Sequence, residues 1–211
     1  MASLEAGESM SKPCVVIGIT GGISTGKSTF SRHLHELLGA KLFDADRAAR
    51  KLVDEDPEVR ARLREDFGPE IFSASGILNR GALRAIVFAD QGKKRALEQI
   101  LHPRIRRQWA AEADRSRQSG EIFLADIPLL YETGGEKLCD RVVVVACSPE
   151  IQLQRLIART RLSPAVARAM ISAQMPLPEK ISRADHVAWN NGPPSNLDAQ
   201  AEVLARFLAK K

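Results

Sequence analysis

Cysteine and aromatic residues are scarce in this chain, and the shortages narrow the classes of protein it can belong to. Only three of the 211 residues are cysteines, and Cys14, Cys139 and Cys147 form no C-x-x-C pair. This argues against a disulfide scaffold and against a zinc site, and it predicts inert, buried thiols at Cys139 and Cys147 in a reducing compartment. Aromatic residues make up 5% of the chain, which is typical of a helix-rich α/β protein with an aliphatic core.

The sequence also lacks a membrane-spanning or targeting pattern. No window approaches the roughly 18 consecutive apolar residues that identify a transmembrane helix. Residues 1–12 carry acidic side chains and lack the apolar segment of a signal peptide, and their acidity is unlike an organelle transit peptide. We therefore expect a disordered extension over residues 1–12 and a cytoplasmic protein that does not bind membranes.

A phosphate-binding loop is the strongest motif that is present. Residues 21–28 read G-G-I-S-T-G-K-S and match the pattern G-x-x-x-x-G-K-[ST] in full. The loop follows the β-branched run Val15–Ile19 and precedes an apolar helical pattern that ends at Gly39, which is the context such a loop requires. Glycines let the backbone wrap around a triphosphate, and the helix N-terminus adds its positive dipole. The residues expected to bind ATP are Gly22, Ile23, Ser24, Thr25, Gly26, Lys27, Ser28 and Thr29.

Missing motifs narrow the possible uses of the nucleotide. A GTPase switch requires a guanine-reading N-K-x-D element, and no such tetrapeptide occurs. A large motor ATPase usually needs a longer chain than 211 residues. The net charge of +5 fits an anionic partner or simply solubility, and Trp109 among basic residues is no nucleic-acid motif. A kinase of small molecules remains, and we expect no nucleic-acid partner.

Alternating strand and helix patterns predict an α/β fold with a parallel sheet covered by helices. After the first strand, strand patterns occur at 41–43, 122–126, 141–147 and 187–189. Between about residues 55 and 118 the pattern is helical, with an N-cap at Asn79 and a break at His102–Pro103. A helical insertion of this kind would add an acceptor site to a nucleotide-binding core.

Three carboxylates follow predicted strands and are candidates for metal or substrate binding. Asp126 ends an apolar strand, where a carboxylate can hold Mg²⁺ through water together with the Ser28 hydroxyl, or can simply cap a turn. Asp44 and Asp46 follow the strand pattern at 41–43, and ligands collect at the carboxyl ends of parallel strands. They can bind Mg²⁺ or orient an acceptor hydroxyl, or one of them can cap the helix over 47–53.

Several cationic side chains are candidates for contacting phosphate or acceptor. Lys27 is expected to reach the β- and γ-phosphates. Arg155 and Arg159 share one helix face, where they can either close over the phosphates or form a solvated surface. His102 either contacts the acceptor or is a satisfied histidine before a proline, and the residues alone leave this open.

Seven segments together resemble the dephospho-coenzyme A kinase family, in order and in spacing. They read GITGGISTGKST, LFDADRAARKLV, LNRGALRAIVFAD, LEQILHPRIR, DIPLLYE, VVVVACSPEIQLQRL and AQMPLPEKISRADHVAWNNG. The likeness extends from Val15 to Leu208. The phosphate loop alone is common to many families, whereas the DAD, LHP, PLLYE and QMPLPEK segments in combination are specific. The resemblance implies a P-loop kinase core that transfers the γ-phosphate of ATP to the ribose 3′-hydroxyl of dephospho-CoA, the last step of CoA synthesis.

The same resemblance implies roles for individual positions. Asp46 would orient the 3′-hydroxyl or accept its proton. Arg155 and Arg159 would both belong to a lid, and Arg159 would be catalytic. Asn190 would lie near the nucleotide base. The acceptor site would be formed by Asp44, Arg80, His102, Pro128, Leu129, Leu130, Tyr131 and Glu132. Mg²⁺ would accompany ATP, and we expect a monomer. The implied boundaries are 13–54 and 119–211 for the core, 55–118 for the CoA-binding insertion and about 150–180 for the lid.

The chain departs from the family pattern in three places, and two other functions compete with the dephospho-CoA kinase hypothesis. Ser24–Thr25 replace the usual Gly-Ser or Ala-Ser, at positions that present backbone. Met170 stands where many members carry an arginine, and Trp189 replaces a frequent aspartate. The competing functions are a different small-molecule kinase of this architecture, such as a nucleoside or shikimate-type kinase, and a regulatory nucleotide-binding module without transfer activity.

Overall fold

The computed structural model describes residues 16–209, which form a parallel sheet surrounded by helices. The strands are β1 (Val16–Gly21), β2 (Lys41–Asp44), β3 (Phe123–Asp126), β4 (Arg141–Ala146) and β5 (His186–Trp189). The helices are α1 (Lys27–Leu38), α2 (Ala45–Glu55), α3 (Pro57–Phe67), α4 (Arg80–Ala89), α5 (Gln91–Ser119), α6 (Pro149–Thr160), α7 (Pro164–Ser172), α8 (Leu177–Ser182) and α9 (Pro194–Ala209). The predicted α/β fold is confirmed, while the extension predicted over residues 1–12 lies outside the described residues.

The order of the strands places the phosphate loop at the carboxyl end of the central strand of the sheet. All pairs are parallel, and the order is β2-β3-β1-β4-β5. The strand order reverses at β1, because β3 and β4 flank it on opposite sides, and ligands bind at such a point beyond the carboxyl ends of the strands. Asp44, Asp126 and Ile19 are in register across β2, β3 and β1. The candidate carboxylates therefore follow strands that end beside the loop.

Alternating side chains of the sheet pack into two separate apolar layers. Ile17 and Ile19 of β1 pack with α1 and α9, whereas Val16 packs with α5 and α8 on the other face. A third apolar cluster joins α2, α3, α4 and α5 and includes fully buried Leu63 and Ile71. The stretch over 55–118 thus has apolar packing of its own beside the sheet, and no strand interrupts it.

Helix α5 contradicts the break predicted at His102–Pro103. The helix is continuous over Gln91–Ser119 with Pro103 inside it. Proline removes one backbone hydrogen bond and crowds the preceding turn. The helix continues because both sides of the proline are anchored: Ile100 is buried in the helical cluster, and Trp109 is buried against the sheet. Tertiary packing therefore outweighs the local preference of the His-Pro pair.

Other local predictions agree with the structure. Asn79 caps α4 by accepting from Ala82 N at 3.0 Å, and Ser163 caps α7 by accepting from Val166 N at 3.4 Å. Cys147 is buried as predicted, whereas Cys139 is only half-buried. Burial raises the pKa of both thiols, that of Cys139 to about 12, as expected of inert thiols. Among the helices of residues 16–209, none is both long and apolar enough to cross a bilayer.

Candidate functional site

The phosphate loop forms a tight turn between β1 and α1. Gly26 has φ +98°, a left-handed conformation, and a side chain at this position would collide with Asn190 Nδ2. Thr25 Oγ1 donates to Gly22 O at 2.9 Å and closes the turn from inside. The first N–H groups of a helix have no partner within the helix. Here Lys27 and Ser28, the first residues of α1, border a cavity of about 390 Å³ that suits an anion.

All the predicted loop residues line this cavity, together with one residue from each of four other parts of the chain. The lining consists of Gly22, Ile23, Ser24, Thr25, Gly26, Lys27, Ser28, Thr29, Asp46, Pro128, Arg159 and Gln174. The structure thus brings the loop together with the candidate carboxylate Asp46 and the candidate lid residue Arg159. Arg155 and Asn190 are not part of the lining.

Lys27 extends from the loop to the buried end of β3. Its ammonium group pairs with Asp126, whose carboxylate also accepts from Ser31 Oγ at 2.7 Å. Burial lowers the pKa of Lys27 to about 8, against the opposing effect of the nearby Asp46 and Asp44 carboxylates. Both oxygens of Asp126 are therefore engaged by protein groups, and a triphosphate in the cavity would compete with Asp126 for the lysine.

The two aspartates after β2 have different surroundings. Asp44 accepts from Arg47 N at 3.0 Å and is the N-cap of α2. Asp46 lies in the first turn of α2, is exposed, and borders the phosphate-loop cavity. The sequence did not decide which of the two aspartates caps the helix. The structure shows that Asp44 is the cap and that Asp46 faces the phosphate-loop cavity.

This difference gives a stability prediction. Asp44→Ala should lower the free energy of unfolding by about 1 kcal/mol, because α2 loses the acceptor for its first N–H groups. Asp44→Asn should leave stability nearly unchanged, since asparagine caps equally well. Urea denaturation followed by circular dichroism measures both. Equal stability of the alanine and asparagine variants would contradict the capping role.

A second, larger cavity adjoins the first one. It has a volume of about 650 Å³ and lies between α2, α5 and the chain that follows β3. Its lining includes apolar side chains together with the predicted acceptor residues His102, Pro128 and Glu132. Burial lowers the pKa of His102, so the neutral imidazole prevails at pH 7. The two cavities share Asp46, Pro128 and Gln174.

The remaining predicted acceptor residues occupy different places. Leu129 lines the larger cavity, whereas Leu130 and Tyr131 are buried in the core beside the sheet. Arg80 lines neither of these two cavities: it is exposed, borders a separate cavity of about 430 Å³, and holds Asp54 through two contacts of 2.8 Å. The structure therefore does not bring Arg80 to Asp46. An arginine that opens a helix can be satisfied by a neighbouring carboxylate, and the motif alone gives no sign of this pairing.

The two candidate lid arginines face different neighbours. Arg159 borders the phosphate-loop cavity, while Arg155 Nη2 donates to Asn190 Oδ1 at 3.4 Å. Asn190 in turn donates through Nδ2 to Thr25 O at 2.9 Å. Arg159 can therefore contact phosphate directly. Arg155 contacts the phosphate loop indirectly, through Asn190 and its hydrogen bond to Thr25 O.

Sequence reasoning missed three polar residues that hold the loops in place. Gln152 Nε2 donates to Ile23 O at 2.9 Å, and Gln174 Oε1 accepts from Ile23 N at 2.9 Å. The fully buried Lys180 donates to Pro128 O at 2.9 Å and pairs with Glu132 at 2.8 Å. Gln152 could have been found, because it shares a helix face with the apolar Leu156 and so had to be buried with a partner.

Comparison with known proteins gives consistent relatives over nearly the whole chain. The model of the dephospho-CoA kinase family matches residues 15–195. The dephospho-CoA kinase of Anaeromyxobacter dehalogenans is 44% identical over 194 residues, which cover 92% of each chain. That of Bacillus cereus is 39% identical over 193 residues, covering 91% of this chain and 96% of the relative.

Solved structures agree with these sequence relatives. The crystal structure of TT1252 from Thermus thermophilus is 35% identical, covers 94% of this chain and 98% of its own, and has a TM-score of 0.74. A dephospho-CoA kinase from Campylobacter jejuni is 26% identical, covers 92% and 97%, and has a TM-score of 0.70. A shikimate kinase from Acinetobacter baumannii, 18% identical with a TM-score of 0.54 and coverage of 95% and 96%, shares the fold.

Proposed function

Because this chain belongs to the dephospho-CoA kinase family, we propose that its two adjoining cavities hold the two substrates of that reaction. The enzyme transfers the γ-phosphate of ATP to the ribose 3′-hydroxyl of dephospho-CoA and forms CoA and ADP, the last step of CoA synthesis. The observation that carries the substrate assignment is that the phosphate-loop cavity and the larger cleft meet at Asp46.

The donor side is the cavity of the phosphate loop. Backbone N–H groups and the N-terminus of α1 would bind the β- and γ-phosphates of ATP. Lys27 would leave Asp126 and turn its charge to the phosphates, whose negative charge would raise the lysine pKa that burial lowers. A lysine that stays charged can stabilise negative charge that develops on the phosphoryl group in flight.

The acceptor side is the larger cleft, with Asp46 at its junction with the donor cavity. Asp46 would orient the 3′-hydroxyl and take its proton late, since a loosely bound phosphoryl group needs little help from a strong base. The neutral His102 would form a polar contact with the acceptor from α5. Apolar side chains of α2 and α5 along the cleft suit the less polar parts of the acceptor.

Mg²⁺ is the metal that we propose for this site. The Ser28 hydroxyl lies in the phosphate-loop cavity, and oxygen donors of this kind suit Mg²⁺, which keeps several waters and binds phosphate oxygens. Asp126 is engaged by Lys27 and Ser31, so it would act through water rather than as a direct ligand. When bound, the ion would neutralise charge on the phosphates.

Arg159 gives a prediction for the lid. Arg159→Ala should lower kcat by about tenfold or more and raise the KM for ATP by less, if the guanidinium meets charge that develops in the transition state. Arg168→Ala is the control, because Arg168 is exposed on α7 and does not border the cavity. A pure increase in KM would make Arg159 a ground-state phosphate clamp, and no change in either constant would make it a solvated surface residue.

The wider organisation follows from the same proposal. We propose a core over 13–54 and 119–211, a CoA-binding insertion over 55–118 and a lid over about 150–180. The active unit would be a monomer located in the cytoplasm. Size-exclusion chromatography with light scattering tests the first point, and fractionation of cells tests the second.

The decisive experiment compares acceptors. Purified protein with Mg·ATP should form ADP in the presence of dephospho-CoA and far more slowly with shikimate, with nucleosides or with water alone. Turnover with shikimate or a nucleoside instead would select a different small-molecule kinase. ATP binding without turnover on any acceptor would select a regulatory nucleotide-binding module.

A further inference from the structure

Gln174, the first residue of the QMPLPEK segment, occupies a position between the two cavities, and the sequence alone assigned it no role. It lies between α7 and α8 and borders both the phosphate-loop cavity and the larger cleft. Within residues 16–209, only Asp46 and Pro128 share this property. Pro128 offers no hydrogen-bond donor, so Gln174 is the one side chain at this junction, among the described residues, that can donate a hydrogen bond to a phosphate oxygen.

A hydrogen bond fixes which end of the Gln174 amide faces the phosphate loop. The Ile23 N–H can only donate, so the side-chain oxygen of Gln174 faces it at 2.9 Å. The amide nitrogen forms no hydrogen bond with any other described residue. Its two N–H groups therefore remain available to a ligand at the junction of the two cavities, where the phosphoryl group would pass from donor to acceptor.

The segment that carries Gln174 is anchored on both sides of the junction. The next residue, Met175, donates its N–H to Glu132 Oε1 at 3.0 Å. Glu132 pairs with Lys180, which also holds Pro128 O. The amide nitrogen is thus placed relative to the donor loop through Ile23 and relative to the acceptor cleft through Glu132, as preorganised donors must be.

We propose that Gln174 is a catalytic residue whose Nε2 donates to an oxygen of the phosphoryl group during transfer, while its Oε1 holds the Ile23 N–H. The inference deepens the proposed function and rests on it. In such a transfer the charge spreads over the three equatorial oxygens, and stabilisation comes from positioned donors. A neutral amide supplies donors without adding a further positive charge beside Lys27 and Arg159.

Two variants of Gln174 separate the proposed donor role of Nε2 from the structural role of Oε1, which holds the Ile23 N–H. Gln174→Glu keeps an acceptor for the Ile23 N–H and loses the donor, and Gln174→Met loses both without adding charge. Each should lower kcat by about 10- to 100-fold, below the upper range for a single oxyanion donor. The equilibrium binding of Mg·ATP should change less than about threefold in Gln174→Glu and should weaken in Gln174→Met, which also loses the contact to the Ile23 N–H.

Gln152→Met is the matched control, because Gln152 contacts the other backbone polar group of the same residue, Ile23. Gln152 donates to Ile23 O at 2.9 Å and does not border either of the two cavities. Removing it loosens the loop without removing a donor from the junction. We expect weaker ATP binding with kcat within about threefold of the wild type, and thermal unfolding of every variant checks that the fold is retained.

The outcomes distinguish failure of the inference from failure of the proposed function. Wild-type kcat in Gln174→Met, or a loss in Gln174→Glu alone, would overturn the donor role, since the second result reflects only charge repulsion. An equal loss of kcat in Gln152→Met would replace the donor role by a structural brace. If the wild-type enzyme fails to phosphorylate dephospho-CoA, the proposed function is wrong, and this inference, which rests on it, is wrong as well.

Discussion

Replacing Lys27 by methionine should lower kcat/KM for phosphate transfer by about 10²–10³-fold, which corresponds to roughly 3–4 kcal/mol of transition-state stabilisation. The lysine is the loop side chain with a full positive charge, and burial of this side chain strengthens its interaction with phosphate oxygens. ADP formation at saturating dephospho-CoA measures the loss. Full activity of the variant would remove Lys27 from the mechanism.

The structure adds a stability effect to this prediction. Lys27 pairs with the buried Asp126, so the methionine variant leaves that carboxylate with only the Ser31 hydroxyl as partner. Removing one member of a buried pair costs up to about 3–5 kcal/mol of unfolding free energy. The double variant Lys27→Met with Asp126→Asn should regain most of the stability and none of the activity. Recovery of activity in the double variant would mean that the single variant had failed through folding.

Asp46→Asn should lower kcat by at least about tenfold, since contributions of a general base are typically 10²–10⁴-fold. Asparagine has nearly the same shape, and it removes the charge that orients the 3′-hydroxyl and accepts its proton. ATP affinity should stay nearly unchanged, because the loop binds the phosphates independently of this carboxylate. Parallel measurements of ADP formation and of equilibrium ATP binding separate the two effects.

Asp44→Asn is the matched control for this second prediction. Asp44 is two residues away and caps α2, a role that asparagine performs equally well. It should therefore change kcat little, apart from an effect on the Mg²⁺ requirement if its carboxylate helps to hold the ion. Normal turnover of Asp46→Asn would show that Asp46 neither orients nor deprotonates the acceptor.

Much of the fold was predictable because its signals are local. The strand, the glycine-rich turn and the helix that ends at Gly39 follow one another within the first 39 residues, and the structure places β1 and α1 there. The caps at Asn79 and Ser163 were predictable for the same reason, since a cap bonds N–H groups two or three residues away. Pro103 shows the limit: the local rule predicted a break, and burial of Ile100 and Trp109 overrides it.

The sequence by itself determined that the chain has a phosphate loop in its proper strand–helix setting, and the family motifs implied its acceptor. Those features depend on neighbouring residues, whose spacing is fixed by the covalent chain. Only the tertiary structure decided that Asp46 faces both cavities, that Arg80 pairs with Asp54, and that Gln174 meets Ile23. Such partnerships join residues up to 151 positions apart, and they form because packing of the helices on the sheet brings together polar groups that are distant in the sequence.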